Sequence, residues 1–138
     1  MKVHHIGYAV KDVSAAVKAF KVLGWVVTAE PSDDVSRNIS IAFVSNGQYV
    51  VEFIATLNPE HSSPVDFLSK AKFPGNGIPY HLCYECNCLE QTVAELENTG
   101  YRQITQVAPA PAIDDRNVVF LLNQHIGLIE LIERGDNQ

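Results

Sequence analysis

Apolar side chains recur at Val13, Val17 and Phe20, the spacing of one helix face, and again at Leu89, Val93 and Leu96. Each run follows a short strand-like segment, "HIGYAV" (5–10) and "HLCYEC" (81–86), and each precedes a glycine, Gly24 or Gly100, the residue type expected just past a helix C-terminus. Asp12 is placed to cap the first helix. For the second, Asn87 with Glu90 three residues on predicts a capping box. Laid over one another without gaps, 5–25 and 81–101 match His5 to His81, Ile6 to Leu82, Tyr8 to Tyr84, Phe20 to Leu96 and Trp25 to Tyr101. The chain therefore contains an internal repeat.

The repeat continues downstream. "ISIAFVSNGQYVVEFIA" (39–55) predicts two strands joined through Asn46-Gly47, and "NVVFLLNQHIGLIELIE" (117–133) predicts two more with a turn near Asn123 to Gly127. "VVEFI" falls on "LIELI", so Glu52 matches Glu130. With "WVVTAE" and "YRQITQ" as second strands, each half reads strand, helix, strand, strand, strand, an α+β pattern. The length of 138 residues suits a single domain. Its first module covers about 1–57 and its second about 78–134. "SSPVDFLSKA" predicts a linking helix over about 63–72, with Ser63 as N-cap and Pro64 in the first turn.

Candidate chemistry follows from the repeat. A strand turns neighbouring side chains to opposite faces, so only one of His4 and His5 looks into a given site. His5 has a histidine counterpart and His4 has Tyr80, so His4 is expected on the other face, packed or hydrogen-bonded against a helix. A pseudo-twofold relation between the halves would bring His5, Glu52, His81 and Glu130 together. A carboxylate inside an apolar strand is costly unless paired or bound to a cation. Two imidazoles and two carboxylates, with no cysteine among them, favour a divalent ion (nickel, cobalt, manganese, magnesium, iron or a catalytic zinc) with two positions left for water or substrate.

Composition narrows the classes. The formal net charge of −6 disfavours a nucleic-acid partner, and no apolar run reaches membrane-span length. Cys83, Cys86 and Cys88 are odd in number and clustered, a poor disulfide framework. They predict small buried residues in a cytoplasmic protein.

At these residues the sequence resembles the vicinal oxygen chelate superfamily, which includes glyoxalase I (lactoylglutathione lyase), methylmalonyl-CoA epimerase, extradiol dioxygenases and bleomycin-resistance proteins. "HHIGYAVKDVSAAVKAF", "VVEFI", "YHLCYE" and "GLIELIE" look like its opening strand and helix, first carboxylate strand, second histidine strand and terminal carboxylate strand. The resemblance implies paired βαβββ modules whose mixed sheet curls into a cup around a divalent metal held by His5, Glu52, His81 and Glu130. It implies a lyase or isomerase that moves a proton next to a carbonyl through an enolate. The substrate would be a small thiol hemithioacetal (lactoylglutathione lyase-like) or, alternatively, an acyl-CoA thioester (methylmalonyl-CoA epimerase-like). Glu130 is then the expected base, with Glu52 acting on the opposite face of the same carbon. Ala9 stands where glyoxalase I often has arginine, and "SRNISIAF" lacks the further glutamate expected of the epimerase. The same superfamily resemblance also admits an iron dioxygenase or a non-catalytic binder of small molecules. A homodimer is the expected assembly.

Further residues have plainer expectations. Glu85 shares the strand parity of His81 and is expected as a solvated strand-end residue. Arg116, after "APAPA", is expected either to meet an anionic substrate group or to form a surface pair with a neighbouring aspartate. Lys70 and Lys72 are expected to be solvated, and His61 and His125 to lie in loops away from any metal. Tyr8 and Tyr84 are expected as core packing.

Overall fold

The computed structural model describes residues 1–70 and 72–136. Among these, nine strands run in the order β1 (Lys2–Val10), β2 (Val26–Asp34), β3 (Ile39–Ser45), β4 (Val50–Thr56), β5 (Gly77–Cys86), β6 (Tyr101–Gln103), β7 (Ala108–Ala110), β8 (Arg116–Asn123) and β9 (Gly127–Glu133). Helix α1 (Val13–Val22) follows β1, α2 (Phe67–Lys70) precedes β5, and α3 (Leu89–Glu97) follows β5. The fold is the α+β arrangement of two βαβββ modules, the second carrying β7 as an added short strand. No helix of the described residues is long and apolar enough to cross a membrane.

The chain forms two compact units, Ile6–Pro79 and Met1–His5 with Tyr80–Gln138. In the Ile6–Pro79 unit, β2, β3 and β4 are successively antiparallel, and the second part of β1 lies parallel to β4 with Gly7 level with Glu52. In the second unit, β6 and β9 flank β8 antiparallel, and β5 lies parallel to β9 with Cys83 level with Glu130. Gly7 and Cys83 are equivalent positions of the repeat. The two glutamates therefore sit at the same step of the same parallel pairing. Each is level with a phenylalanine on its other side, Phe43 for Glu52 and Phe120 for Glu130.

Alternation then sorts the faces. On β4, Val51, Phe53 and Ala55 pack with Val13 and Val17 of α1, leaving Glu52 to the opposite face. On β9, Ile129 and Leu131 pack with Leu89 and Val93 of α3, leaving Glu130 to the opposite face. Tyr8 and Tyr84 join these helix-side clusters, as expected of core residues.

Caps and turns show where local sequence decides. Asp12 caps α1 by accepting from the Ala15 N–H at 3.0 Å, and Gly24 follows its end at φ +91°. The Asn46 side chain accepts from the Gln48 and Tyr49 backbone N–H groups, which closes the β3–β4 turn. The expected capping box on α3 does not form: the N-cap is Cys88, with no side-chain bond, because the helix begins one residue later than Asn87 requires. The linking helix is only Phe67–Lys70. Ser63 instead donates its N–H to the Asp66 carboxylate, and its hydroxyl accepts weakly from Val65 at 3.5 Å, so residues 63–66 form a turn. Residue 71 of that expected span lies outside the described residues. "YRQITQ" keeps only Tyr101–Gln103 as strand, whereas β2 extends well beyond "WVVTAE".

Candidate metal centre

His81, Cys83 and Glu85 alternate along one face of β5, and Glu130 presents its carboxylate from β9 beside them. His5 belongs to the same unit through the first residues of β1. His5, His81 and Glu130 are buried at 1%, 5% and 4% exposure. His5 Nε2 lies 3.1 Å from Glu130 Oε2, His81 Nε2 lies 3.3 Å from the same oxygen, and the two Nε2 atoms are 3.3 Å apart. The Phe120 ring meets His81 edge-on, with centroids 5.1 Å apart, and walls one side.

This triangle suits a divalent ion. Ligands bonded at about 2.1 Å stand about 3.0 Å apart at octahedral right angles and about 3.4 Å apart in a tetrahedron. The three observed edges fall between those values. Glu130 Oε2 is buried and accepts no well-directed hydrogen bond among the described residues, although it forms one corner of the triangle. An acceptor stranded in this way is costly to bury without a cation or proton to receive it.

Electrostatics agree. Burial would push the Glu130 carboxyl upward, but the His5 and His81 N–H groups, with any positive charge on those rings, hold it well below the usual carboxylate range. Glu130 is thus an anion ready to bind. Burial pushes the Cys83 thiol up to about 12, so it stays protonated beside the site despite contact with His5.

Of the four expected ligands, His5, His81 and Glu130 are brought together. Glu52 is buried at 3% exposure on the face of β4 away from α1, level with Gly7. It belongs to the unit of Ile6–Pro79.

Several expectations are corrected here. The ring nitrogens of His4 meet strand residues and not a helix: Nδ1 lies 2.8 Å from His5 Nδ1 and Nε2 lies 3.4 Å from Arg116 Nη1. Desolvation, then His5 and Arg116, lower its pKa below the ordinary imidazole value. Arg116 is half-buried and forms no ion pair with Asp114 or Asp115 among the described residues. Its Nε donates to the Glu133 carbonyl at 2.8 Å, and its Nη2 is buried with no hydrogen-bond partner among the described residues. Glu85 is buried at 5% exposure, 3.8 Å from Arg134 Nε, rather than solvated. The parity shared by His81, Cys83 and Glu85 was the signal for this, and the expectation that a glutamate prefers solvent overrode it. Cys83 and Cys86 are buried and Cys88 is exposed, all three as free thiols. Lys70, Lys72, His61 and His125 are exposed.

A family model described as the Glyoxalase/Bleomycin resistance protein/Dioxygenase superfamily matches residues 4–120. The chain belongs to this superfamily. Within it, one curated relative is the ethylmalonyl-CoA/methylmalonyl-CoA epimerase of Cereibacter sphaeroides, 28% identical over 121 residues and covering 87% of each chain. Among solved structures, a hypothetical protein of Bacillus halodurans C-125 superposes with a TM-score of 0.81 at 25% identity, covering 99% of this chain and 96% of its own. The methylmalonyl-CoA epimerase of Mycobacterium tuberculosis superposes with a TM-score of 0.78 at 21% identity, covering 96% and 87%. The latter likeness shows a shared fold.

Proposed function

We propose that this chain is a divalent-metal-dependent epimerase of acyl-CoA thioesters, moving the proton on the carbon next to the thioester carbonyl. The observation that carries the reading is the convergence of His5, His81 and the stranded Glu130 oxygen at 3.1–3.3 Å. The thioester is preferred to the hemithioacetal because the curated relative is a CoA-thioester epimerase and because Ala9 cannot offer a cation to a glutathione carboxylate. In this reading His5, His81, Glu130 and Glu52 hold the ion, which when bound supplies Lewis-acid polarisation of a carbonyl. Nickel, cobalt, zinc, manganese and magnesium are the candidates.

Glu130 is anionic and buried, so it takes the proton from the substrate carbon on one face. Glu52, entering the cycle as the carboxylic acid, delivers its proton to the opposite face, which inverts the centre, and the two glutamates then regain their starting states by proton exchange with water. β3 carries no carboxylate (its residues are "ISIAFVS"), so a second acid must come from another strand, and Glu52 occupies the repeat-equivalent position. The walls of Phe120, Ile132 and protonated Cys83 keep water from competing for the proton. The reading takes 1–138 as one domain, cytoplasmic in keeping with its three free thiols, with a small-molecule partner and a homodimeric state that light scattering tests.

The test is deuterium exchange. Metal-replete protein is incubated in deuterated water with one epimer of methylmalonyl-CoA. The expected result is label at the 2-carbon together with racemisation, reduced about 10²–10⁴-fold by Glu130→Gln. Full exchange by a Glu130→Gln variant that still holds metal would overturn the base assignment. Lack of exchange by the wild type would overturn the epimerase reading.

A further inference from the structure

A chain of nitrogen contacts runs outward from the ligand triangle: Glu130 Oε2, His5 Nε2, then His5 Nδ1 to His4 Nδ1 at 2.8 Å, then His4 Nε2 to Arg116 Nη1 at 3.4 Å. A neutral imidazole has one N–H and one lone pair, and a guanidinium only donates. Followed inward from Arg116, which can only donate, the two contacts of His4 have one consistent assignment for neutral rings. Arg116 donates to His4 Nε2, the His4 Nδ1–H donates to His5 Nδ1, and the His5 proton sits on Nε2, facing Glu130 Oε2 at 3.1 Å and His81 Nε2 at 3.3 Å. That arrangement leaves His5 Nε2 with no lone pair for a cation.

We propose that His4 is a positioning residue that sets the tautomer of His5, so that cation binding at His5 Nε2 and the Arg116–His4 contact exclude one another. To bind an ion through Nε2, His5 must carry its proton on Nδ1 and donate it to His4 Nδ1. The balance is neutral. The His4 Nδ1 proton crosses to His5 Nδ1, the His5 Nε2 proton leaves to solvent, and His4 Nε2 gains one from solvent. His4 Nε2–H then faces Arg116 Nη1 donor to donor, and the guanidinium arm must turn away. Its Nε bond to the Glu133 carbonyl need not break, and the buried Nη2 without a partner gives the group a reason to move. Arg116 enters β8 directly after Asp114 and Asp115, both left-handed at φ +53° and +56°, so its strand-end setting is unlike that of a mid-strand residue. His4 thus orients a ligating imidazole through its far nitrogen, a role that carboxylates and carbonyls fill at many metal sites.

The inference rests on the metal reading above, and the experiment separates their failures. Imidazole nitrogen NMR of the full chain is recorded without and with Zn²⁺, which is diamagnetic. The expected result is a His4 proton on Nδ1 before addition and on Nε2 after. Affinities for Zn²⁺ are then measured by competition with a chromophoric chelator. His4→Phe is expected to weaken binding about 10–100-fold. Arg116→Met is expected to tighten it about fivefold, the equivalent of one hydrogen bond, and to lose that effect in the His4→Phe background. A purely structural Arg116 would weaken binding when removed, and simple charge repulsion would persist in the double variant. Either result would overturn the proposal, as would a His4 proton that stays on Nδ1 in the loaded protein. Failure of the wild type to bind any Zn²⁺, Ni²⁺ or Co²⁺ would overturn the metal reading and this inference together.

Discussion

The two βαβββ modules solve one packing problem with different side chains. Around α1, Phe20 sits 4.9 Å from Phe53 and 5.1 Å from Trp25 by ring centroids. Tyr8 lies 5.6 Å from Phe20, and all three pairs meet edge-on, a geometry favourable for aromatic rings. Around α3 the equivalent positions are Leu96, Leu131, Tyr101 and Tyr84, so two of the four rings are replaced by leucine. What does not vary is the register. Glu52 and Glu130 stand at one step of their parallel pairings, between a small residue and a phenylalanine. The helix side of a sheet needs only volume and apolarity, which many residues supply. The opposite side needs particular donor atoms at particular heights, and a one-residue slip would turn every one of them away.

That contrast is open to attack, and the largest effect is expected on the ligand side. Glu52→Gln in the metal-replete protein should lower proton exchange by about 10²-fold or more if Glu52 supplies the second acid. An unchanged rate would confine function to the module of β5 and β9. At the same centre, adding Co²⁺ or Ni²⁺ at about a hundredfold excess over its Kd should stabilise the fold by about 2.7 kcal/mol in denaturant titrations, and His81→Ala should remove the gain. On the helix side, Phe53→Ala should cost about 3–5 kcal/mol and Leu131→Ala about 2–5 kcal/mol, since both are fully buried. Equal losses would mean the aromatic cluster adds little beyond volume. The smallest effects concern the caps. Asp12→Ala should cost about 1 kcal/mol, and Cys88→Asp, at a helix start lacking a side-chain cap, should add about 0.5–1 kcal/mol by the same measurement. The parent chain offers a related control: a thiol reagent should label exposed Cys88 quickly and spare Cys83, which is fully buried and raised to about 12.

Much of this arrangement was legible in the chain because it depends on period and parity. The helical faces of Val13, Val17 and Phe20, and of Leu89, Val93 and Leu96, follow from 3.6-residue spacing, and the two buried glutamates follow from repeat matching. Asp12 capped as expected because its geometry is local. Asn87 did not, because packing of Leu89 set the helix start and left Asn87 one position early. Glu85 had the right parity, but its burial depends on what covers it, which lies far along the chain. The linking helix shortened because the Ser63 N–H and the Asp66 carboxylate close a turn first.

The chain by itself determined the order of elements, the repeat and which histidine and glutamate of each half look away from the helices. Those are one-dimensional facts, set by spacing along a strand or helix. Only the tertiary structure decided that His5, His81 and Glu130 meet at 3.1–3.3 Å, and that the ring nitrogens of His4 meet His5 and Arg116. The reason is physical. Hydrogen-bond partners are chosen by distance in space, and Arg116 lies more than a hundred residues from His4 along the chain.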